Sequence, residues 1–212
     1  MGWNNCQFDC GPWAPDDALV RATAALLDRS GLAAAGYRQL NLDDAWMQER
    51  SADGQLQPNT TRFPDFDGTM AFVRSQGLRL GVYVAAGDLT CSGRPGSCRH
   101  EEADAARFVR WGLAHVKDDA CSTCRDPQKK GAPSDYEAMA LALKRAAAEH
   151  GSAAPLLMVE GQPPLPLAAD GAHGDVRRVG HDINAAWLSM LSLVDIGSGL
   201  WRYAKPGFFN DL

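Results

Sequence analysis

The chain has 212 residues, of which 45% are hydrophobic and 22% are charged, and its formal net charge at pH 7 is −5. This composition supports one sizeable hydrophobic core in a single domain and excludes a disordered polyelectrolyte. Lysine and arginine form no long run and the apolar stretches are short, so we expect neither a nucleic-acid partner nor a membrane span.

Short runs typical of β-strands alternate along the chain with stretches in which apolar residues recur at helical spacing. The predicted strands are Tyr37–Asp44, Arg79–Ala86, Ala114–Cys121, Pro155–Glu160 and Val176–Asp182. The predicted helices are Asp16–Ser30, Phe66–Gln76, Glu101–Trp111, Ser134–His150 and Ile183–Asp195, with a further, Pro- and Gly-rich helix site at Pro163–Gly174.

The spacing of apolar residues also predicts which side of each helix packs against the strands. In the first helix the predicted face is formed by Leu19, Ala22, Leu26 and Leu27. In the second and third helices it contains Met70, Val73, Ala105, Phe108 and Trp111. In the last helix it is formed by Trp187, Met190, Leu191 and Val194.

Alternating strands and helices predict βαβ units and a parallel sheet. Two architectures fit this order, an open doubly wound sheet and a (β/α)₈ barrel. No G-x-G-x-x-G sequence follows an early strand, which argues against a dinucleotide-binding version of the open sheet.

A carboxylate stands at the C-terminal end of nearly every predicted strand. These residues are Asp43, Asp44, Asp118, Asp119, Glu160 and Asp182. Any one of them could be a helix N-cap, but acids at several strand ends are typical of a barrel, where they point into the mouth of the active site. The pattern therefore favours the barrel, and it leaves a carboxylate-bound Mg²⁺ open as an alternative.

Two carboxylates that flank a scissile bond are the usual apparatus of glycoside hydrolysis, in which one is ionised and the other carries a proton. Lys117 precedes Asp119 by two residues, so in a strand both face the same side and the ammonium favours the ionised form of Asp119. A structural ion pair would explain the same spacing. Asp118 is expected to face away from the barrel interior, whereas Arg178 and Asp182 share a face if their stretch is extended.

Other chemistries lack their motifs, because the chain contains no G-x-S-x-G, H-E-x-x-H or G-x-x-x-x-G-K-[ST] sequence. Cys121 and Cys124 form a single C-x-x-C with no second pair, which favours a disulfide or free thiols over zinc. We therefore predict no metal and no cofactor. His181 is interpreted as an ordinary strand-end residue, with a role as a base left open.

Seven blocks, in chain order, carry a resemblance to a known family. They are Met1–Asn4 (MGWN), Gly31–Tyr37 with Asn41–Trp46 (NLDDAW), Gly77–Tyr83 (GLRLGVY), Thr90–Cys91 with Pro95–Ser97 and His100–Asp104, Val116–Cys121 (VKDDAC), Arg178–Ile183 (RVGHDI) and Pro206–Asp211 (PGFFND). Together they resemble glycoside hydrolase family 27, the α-galactosidases and α-N-acetylgalactosaminidases, over essentially the whole chain.

The resemblance implies a (β/α)₈ barrel and a retaining exo-α-galactosidase with Asp119 as nucleophile and Asp182 as acid/base. It also implies that the sugar is bound by Asp43, Asp44, Tyr83, Lys117, Glu160 and Arg178. Glu160 matches a glutamate that α-galactosidases keep and N-acetylgalactosaminidases replace, which favours galactose. Cys91 and Cys121 match a family disulfide near the nucleophile.

The sequence departs from the family pattern at Cys6, Ala45, Ala85, Asp118, Val159, Gly161 and Phe209. It begins inside the first strand motif and stops inside the seventh, so we expect residues 1–212 to be a barrel domain truncated at both ends, without strand eight and without the family's C-terminal β-sandwich domain. These departures keep two alternatives open. The chain could be a non-catalytic or vestigial sugar-binding module, or a same-fold glycosidase for an α-N-acetylgalactosaminide or a β-L-arabinopyranoside.

A carbohydrate substrate is thus the expected partner, while the oligomeric state is left open. The family implies a secreted or lysosome/vacuole-like location, although no signal peptide is visible in the chain.

Overall fold

A computed structural model of the chain describes residues 1–5, 14–122, 124, 135–160, 174–184 and 186–211. The strands are β1 (Gly2–Asn4), β2 (Gln39–Asn41), β3 (Met47–Gln48), β4 (Gln57–Pro58), β5 (Arg79–Ala85), β6 (His115–Asp119), β7 (Leu156–Glu160), β8 (Val176–Arg178) and β9 (Phe209–Asp211). The helices are α1 (Asp17–Arg29), α2 (Phe66–Ser75), α3 (Glu101–Arg110), α4 (Asp135–His150) and α5 (Trp187–Leu200), followed by a 3₁₀ turn at Trp201–Tyr203.

One seven-stranded sheet, in the order β1-β2-β5-β6-β7-β8-β9, forms the centre of the molecule, and all of its neighbouring strands are parallel. Residues of the first strand (Gly2, Asn4) and of the last two (Arg178, Asp211) line the same cavity of about 370 Å³, so the sheet curls around it. Within the described residues no pairing joins β1 to β9. The fold is therefore a (β/α) barrel with seven of its strands in place, as predicted.

The buried face of α1 differs from the prediction. Asp16 caps the helix by accepting the Leu19 N–H at 2.8 Å, and the residues that face the core are Val20, Ala24 and Leu27. Leu19 and Leu26 are 37% and 56% exposed. Each lies one position before a buried residue, which turns it about 100° away from the core-facing stripe.

An aromatic cluster joins α2 and α3 to the sheet. Trp46 is fully buried and stacks on Phe66 with 5.6 Å between ring centroids, and Trp111 packs edge-on against both rings. The predicted core residues Met70, Val73, Ala105 and Phe108 are all buried. The Trp46 indole also donates a hydrogen bond of 2.7 Å to the Tyr83 carbonyl, so this cluster fixes the backbone of β5.

Helix α5 begins four residues later than predicted, and its predicted face does not enter the core. Trp187, Met190, Leu191 and Val194 are all exposed, and Leu193 is the buried residue of the helix. Because α5 is apolar on nearly every side, the spacing of its apolar residues does not distinguish a buried face from the others.

All five predicted strands are longer in the sequence pattern than in the structure, most of all those that correspond to β2 and β8. Strand β2 ends at Asn41 and β8 ends at Arg178, so Asp43, Asp44 and Asp182 lie in the segments that follow the strands. Asp119 and Glu160 remain on β6 and β7. Asp118 is fully buried on the other side of β6 from the barrel interior, as predicted.

Cys6, Cys10, Gly161 and nearly all of the predicted Pro163–Gly174 helix lie outside the described residues. Among the helices that the structure does describe, none combines the length and the apolar character needed to cross a membrane.

Candidate active site

A chain of alternating charges runs along the C-terminal edge of the sheet. The Lys117 ammonium lies 2.9 Å from Asp43 Oδ2 and 2.7 Å from Glu160 Oε2. Glu160 also pairs with Arg178, and Arg178 pairs with Asp182. Five of the predicted site residues are therefore in direct contact, in the order Asp43–Lys117–Glu160–Arg178–Asp182.

The strand register explains how residues so far apart in sequence meet. Strand β6 pairs with β7 so that Asp119 lies opposite Glu160, and Lys117 lies one pleat below on the same face. Asp43 follows β2 and approaches from the side of β5. Asp43 and Glu160 are only 2% and 6% exposed, and burying two carboxylates is tolerated because Lys117 lies between them and Arg178 also pairs with Glu160.

Asp119 lies beside this charge chain and has its own hydrogen bonds. The Tyr83 hydroxyl donates to its Oδ2 at 2.8 Å and the Ala120 N–H donates to its Oδ1 at 2.7 Å. Burial raises the pKa of Asp119, and the hydrogen bonds from Tyr83 and Ala120 and the charges of Lys117 and Arg178 only partly offset this.

This environment limits the effect expected of Lys117. The sequence predicted that the Lys117 ammonium favours the ionised form of Asp119, and its charge does lower the pKa of Asp119. In the structure Lys117 forms its ion pairs with Asp43 and Glu160, and desolvation outweighs its effect on the pKa of Asp119. The donors that stabilise the Asp119 carboxylate directly are Tyr83 and a backbone amide.

We expect Tyr83→Phe to move the acidic limb of a kcat/KM–pH profile to higher pH. The variant removes a donor that lowers the pKa of Asp119, while burial, which raises this pKa, stays in place. A nucleophile must be ionised, so activity would be lost at a higher pH as the solution is acidified. A profile whose acidic limb stays at the wild-type pH would show that Asp119 is not the group that titrates.

Asp44 is held in one orientation by backbone amides. Its Oδ2 accepts the Ser92 N–H at 2.8 Å and its Oδ1 accepts the Ala45 N–H at 2.6 Å. Ala45 itself has φ of 65°, a left-handed conformation that is uncommon for a residue with a Cβ atom. Local strain of this kind persists where the surrounding contacts over-determine the backbone, as they do at functional sites.

Asp182 differs from the other acids in its exposure. Its side chain is 89% exposed and contacts Arg178, and both residues line the central cavity together with Lys117 and Asn4. The segment between Arg178 and Asp182 is irregular, so the extended stretch on which a shared face depended is not present, although the two side chains do meet.

The described residues contain two disulfides, one of which lies next to Asp119. Cys91 is bonded to Cys121, whose sulfur lies 3.3 Å from Asp119 Oδ2 and 3.0 Å from the Tyr83 hydroxyl. Cys98 is bonded to Cys124, a pairing that the sequence left open. Cys91, Asp119 and Cys121 are close enough to share a metal ion, as are Asp88, Cys98 and Cys124. In the disulfide form, however, these sulfurs lack the thiolate charge that a metal ligand needs.

Several residues that orient the site were missed in the sequence. Asn4 donates to Asp43 Oδ2 at 2.8 Å, and the Asn5 side chain accepts the Asp43 N–H at 2.6 Å. Asn4 is the last residue of the MGWN block and Asn5 follows it, so the family resemblance included this segment but assigned neither residue a role. The Ser92 N–H is a backbone donor, and no side-chain pattern could have indicated it.

Comparison with known proteins gives consistent matches. The model of the family described as Alpha galactosidase A (Melibiase_2) matches residues 1–211. Alpha-galactosidase A of Cellvibrio japonicus is 35% identical over 229 residues, and alpha-galactosidase of Cyamopsis tetragonoloba is 36% identical over 215 residues. The matches cover 100% of this chain but 53% and 50% of the relatives, so the chain spans about half of their length.

The crystal structure of alpha-galactosidase I from Mortierella vinacea superposes on the chain with a TM-score of 0.84. It is 24% identical, and the match covers 100% of this chain and 57% of that one. At this identity the likeness concerns the fold alone.

Proposed function

The chain belongs to the Alpha galactosidase A (Melibiase_2) family, that is, to the α-galactosidases of glycoside hydrolase family 27, and we propose that the protein is a retaining exo-α-galactosidase. The observation that carries the proposal is the continuous contact chain Asp43–Lys117–Glu160–Arg178–Asp182 beside the hydrogen-bonded Asp119. It offers a partly buried carboxylate at Asp119 and an exposed carboxylate at Asp182 along the C-terminal edge of the sheet, and glycoside hydrolysis requires such a pair.

In this proposal Asp119 attacks the anomeric carbon while Asp182 gives its proton to the departing oxygen. The C–O bond to the leaving group breaks as the bond to Asp119 forms, which leaves a glycosyl ester. Asp182, now ionised, removes a proton from water, and the water displaces Asp119 from the sugar. Two displacements return the original configuration, and they require the two carboxyl groups to lie roughly 5–5.5 Å apart in the substrate complex.

The surroundings orient Asp119 and leave Asp182 open to water. Asp119 is fixed by the Tyr83 hydroxyl and the Ala120 amide, so its attacking oxygen has one orientation. Asp182 is exposed, and water can reach it for the second step. Arg178 contacts both Glu160 and Asp182 and so links the acid/base to the sugar-binding groups.

Galactose is the proposed sugar because Glu160 matches the glutamate that the α-galactosidases of the family keep, and in this proposal Glu160 lies where a free 2-hydroxyl is received. Its carboxylate is held between Lys117 and Arg178 and is 6% exposed, so it cannot swing away to admit a bulkier substituent. An N-acetyl group at this position would meet a fixed, buried charge, which costs binding energy. Asp43 and Asp44, backed by Lys117 and the Ser92 amide, would accept hydroxyl hydrogens on the other side of the ring.

The proposal is tested by assaying this 212-residue chain, and a version extended to the next in-frame stop codon, on three 4-nitrophenyl glycosides. We expect release of nitrophenol from the α-galactoside, and rates lower by at least about tenfold from the α-N-acetylgalactosaminide and the β-L-arabinopyranoside. Proton NMR of the first product should show α-galactose. A folded protein that binds galactose without hydrolysis would instead support a sugar-binding module.

A further inference from the structure

Arg50 lies two residues after β3, outside the candidate site, and its guanidinium is almost completely enclosed. Its side chain is 12% exposed, and it makes two parallel hydrogen bonds of 2.8 and 2.7 Å to Asp104 on α3. The same guanidinium donates to the Gly54 carbonyl at 3.0 Å and to the Gly96 carbonyl at 2.7 Å. One side chain thus ties together the β3–β4 hairpin, helix α3 and the segment between β5 and α3.

That segment, residues 86–100, is here called the β5–α3 loop, and its far end is fixed at the same point. The Ser97 hydroxyl donates to Asp104 Oδ2 at 2.9 Å, and the Ser97 N–H donates to the Ala85 carbonyl at 2.8 Å. Asp104 is 1% exposed, so its charge depends on Arg50 for compensation. Arg50, Asp104 and Ser97 therefore form one buried network at the C-terminal end of the loop.

The β5–α3 loop is closely packed at this end, around Gly96. A Cβ atom on Gly96 would lie 2.0 Å from the Gly87 carbonyl oxygen and 3.0 Å from the Ala85 carbonyl oxygen. The two ends of the loop are therefore in close contact at Gly96 and Gly87.

The residues between these ends border the candidate site. The Ser92 N–H holds Asp44, and Cys91 is bonded to Cys121 beside Asp119. The Ala86 N–H donates to the Asp119 carbonyl at 2.8 Å. The loop thus contacts both the proposed nucleophile and a proposed sugar-binding acid.

We propose that Arg50 is a positioning residue that, through Gly96 and Asp104, keeps the Ser92 amide on Asp44 and so sets the affinity of the site for its sugar. Arg50 itself touches no substrate. The effect of Arg50 on sugar binding rests on the proposed function, whereas the effect of Arg50 on the β5–α3 loop does not depend on that function.

The test compares Arg50→Lys with a matched control, Arg21→Lys. Lysine keeps the charge at position 50 but cannot form the two parallel bonds to Asp104 together with the two carbonyl bonds. Arg21 also pairs with an aspartate, Asp17, but on the surface of α1 and away from the loop. Hydrogen–deuterium exchange of the Ser92 and Ser97 amides and steady-state kinetics on 4-nitrophenyl α-galactoside are measured for both variants.

For Arg50→Lys we expect the two amides to exchange at least about tenfold faster. We expect KM to rise about tenfold with kcat within about twofold, because Asp44 contacts the sugar equally in the ground and transition states. The control should match the wild type in both. If Arg50→Lys does not fold, Ser97→Ala removes a single bond to Asp104 and should produce smaller changes in the same direction.

If the Ser92 and Ser97 amides of Arg50→Lys exchange at the wild-type rate, the proposal is overturned. It is also overturned if these amides exchange faster but KM stays at the wild-type value. A role in stability alone would lower the melting temperature without separating KM from kcat. If the wild-type protein does not hydrolyse the substrate, the proposed function fails, and the exchange measurement by itself decides whether Arg50 positions the loop.

Discussion

Replacing Asp119 by asparagine is expected to lower kcat for 4-nitrophenyl α-galactoside by about 10⁴-fold or more, because the amide cannot form the glycosyl ester. The shape of the site should be kept, since the Tyr83 hydroxyl and the Ala120 amide donate to oxygens and asparagine retains one of them. Galactose binding and the melting temperature should therefore stay close to those of the wild type. The matched change Asp28→Asn, on the exposed side of α1, should leave kcat unaltered.

Asp119→Gly provides a sharper version of the same experiment. Removing the side chain leaves room for azide, which can attack the anomeric carbon in place of the carboxylate while the nitrophenol departs. One displacement inverts the configuration, so the expected product is β-galactosyl azide. Near-normal hydrolysis by Asp119→Asn, or an azide product of α configuration, would show that the nucleophile is another group.

The second large effect concerns stability. Lys117→Met is expected to lower the free energy of unfolding by about 3–5 kcal/mol, because it leaves Asp43 and Glu160 buried without their shared cation. Urea unfolding at pH 7, followed by circular dichroism, measures the change. The control Lys144→Met removes an exposed lysine on α4 and should change the unfolding free energy by no more than about 0.5 kcal/mol.

A second variant tests whether unpaired charge, and not lost packing, is the cause. Adding Asp43→Asn to Lys117→Met neutralises one of the two carboxylates that Lys117 contacts, while the other, Glu160, keeps its ion pair with Arg178. The double variant should regain part of the lost stability, which is the non-additivity expected for groups in contact. A loss of less than about 1 kcal/mol in Lys117→Met would mean that the ion pairs are solvated in solution and weak.

The strands most accurately predicted from the sequence are those buried on both sides. Strand β5 was predicted to within one residue because Leu80, Val82, Tyr83 and Val84 form a continuous buried run. The β2 prediction extended five residues too far in total, since it also included residues 37–38 and 42–44, which lie outside the observed strand Gln39–Asn41. For α1, the pattern identified the helix but assigned the buried face partly to the wrong residues, because Leu19 and Leu26 are exposed and Val20 and Ala24 are buried.

For the candidate site, the acidic residues could be predicted from the sequence but their contacts could not. Its acids were recognisable because parallel strands place their C-terminal residues at one edge, which is a property of the fold class. Their partners were not, because Lys117 reaches Asp43 across 74 positions in sequence and does so only once β2, β5 and β6 are neighbours. The two-residue spacing from Lys117 to Asp119 indicated that the two side chains face the same side of the strand. It could not indicate that Lys117 forms its ion pairs with Asp43 and Glu160.

The two disulfides cross in the sequence, since Cys91 pairs with Cys121 and Cys98 with Cys124. The six cysteines of the chain allow fifteen complete pairings, and the shortest loop that oxidation can close is the non-native one between Cys121 and Cys124. The native pairing must then be reached by exchange with a free thiolate. Production in a compartment with a disulfide isomerase, or refolding in a glutathione buffer, should therefore decide the yield of active protein. Material from a reducing cytosol would have thiols beside Asp119 instead.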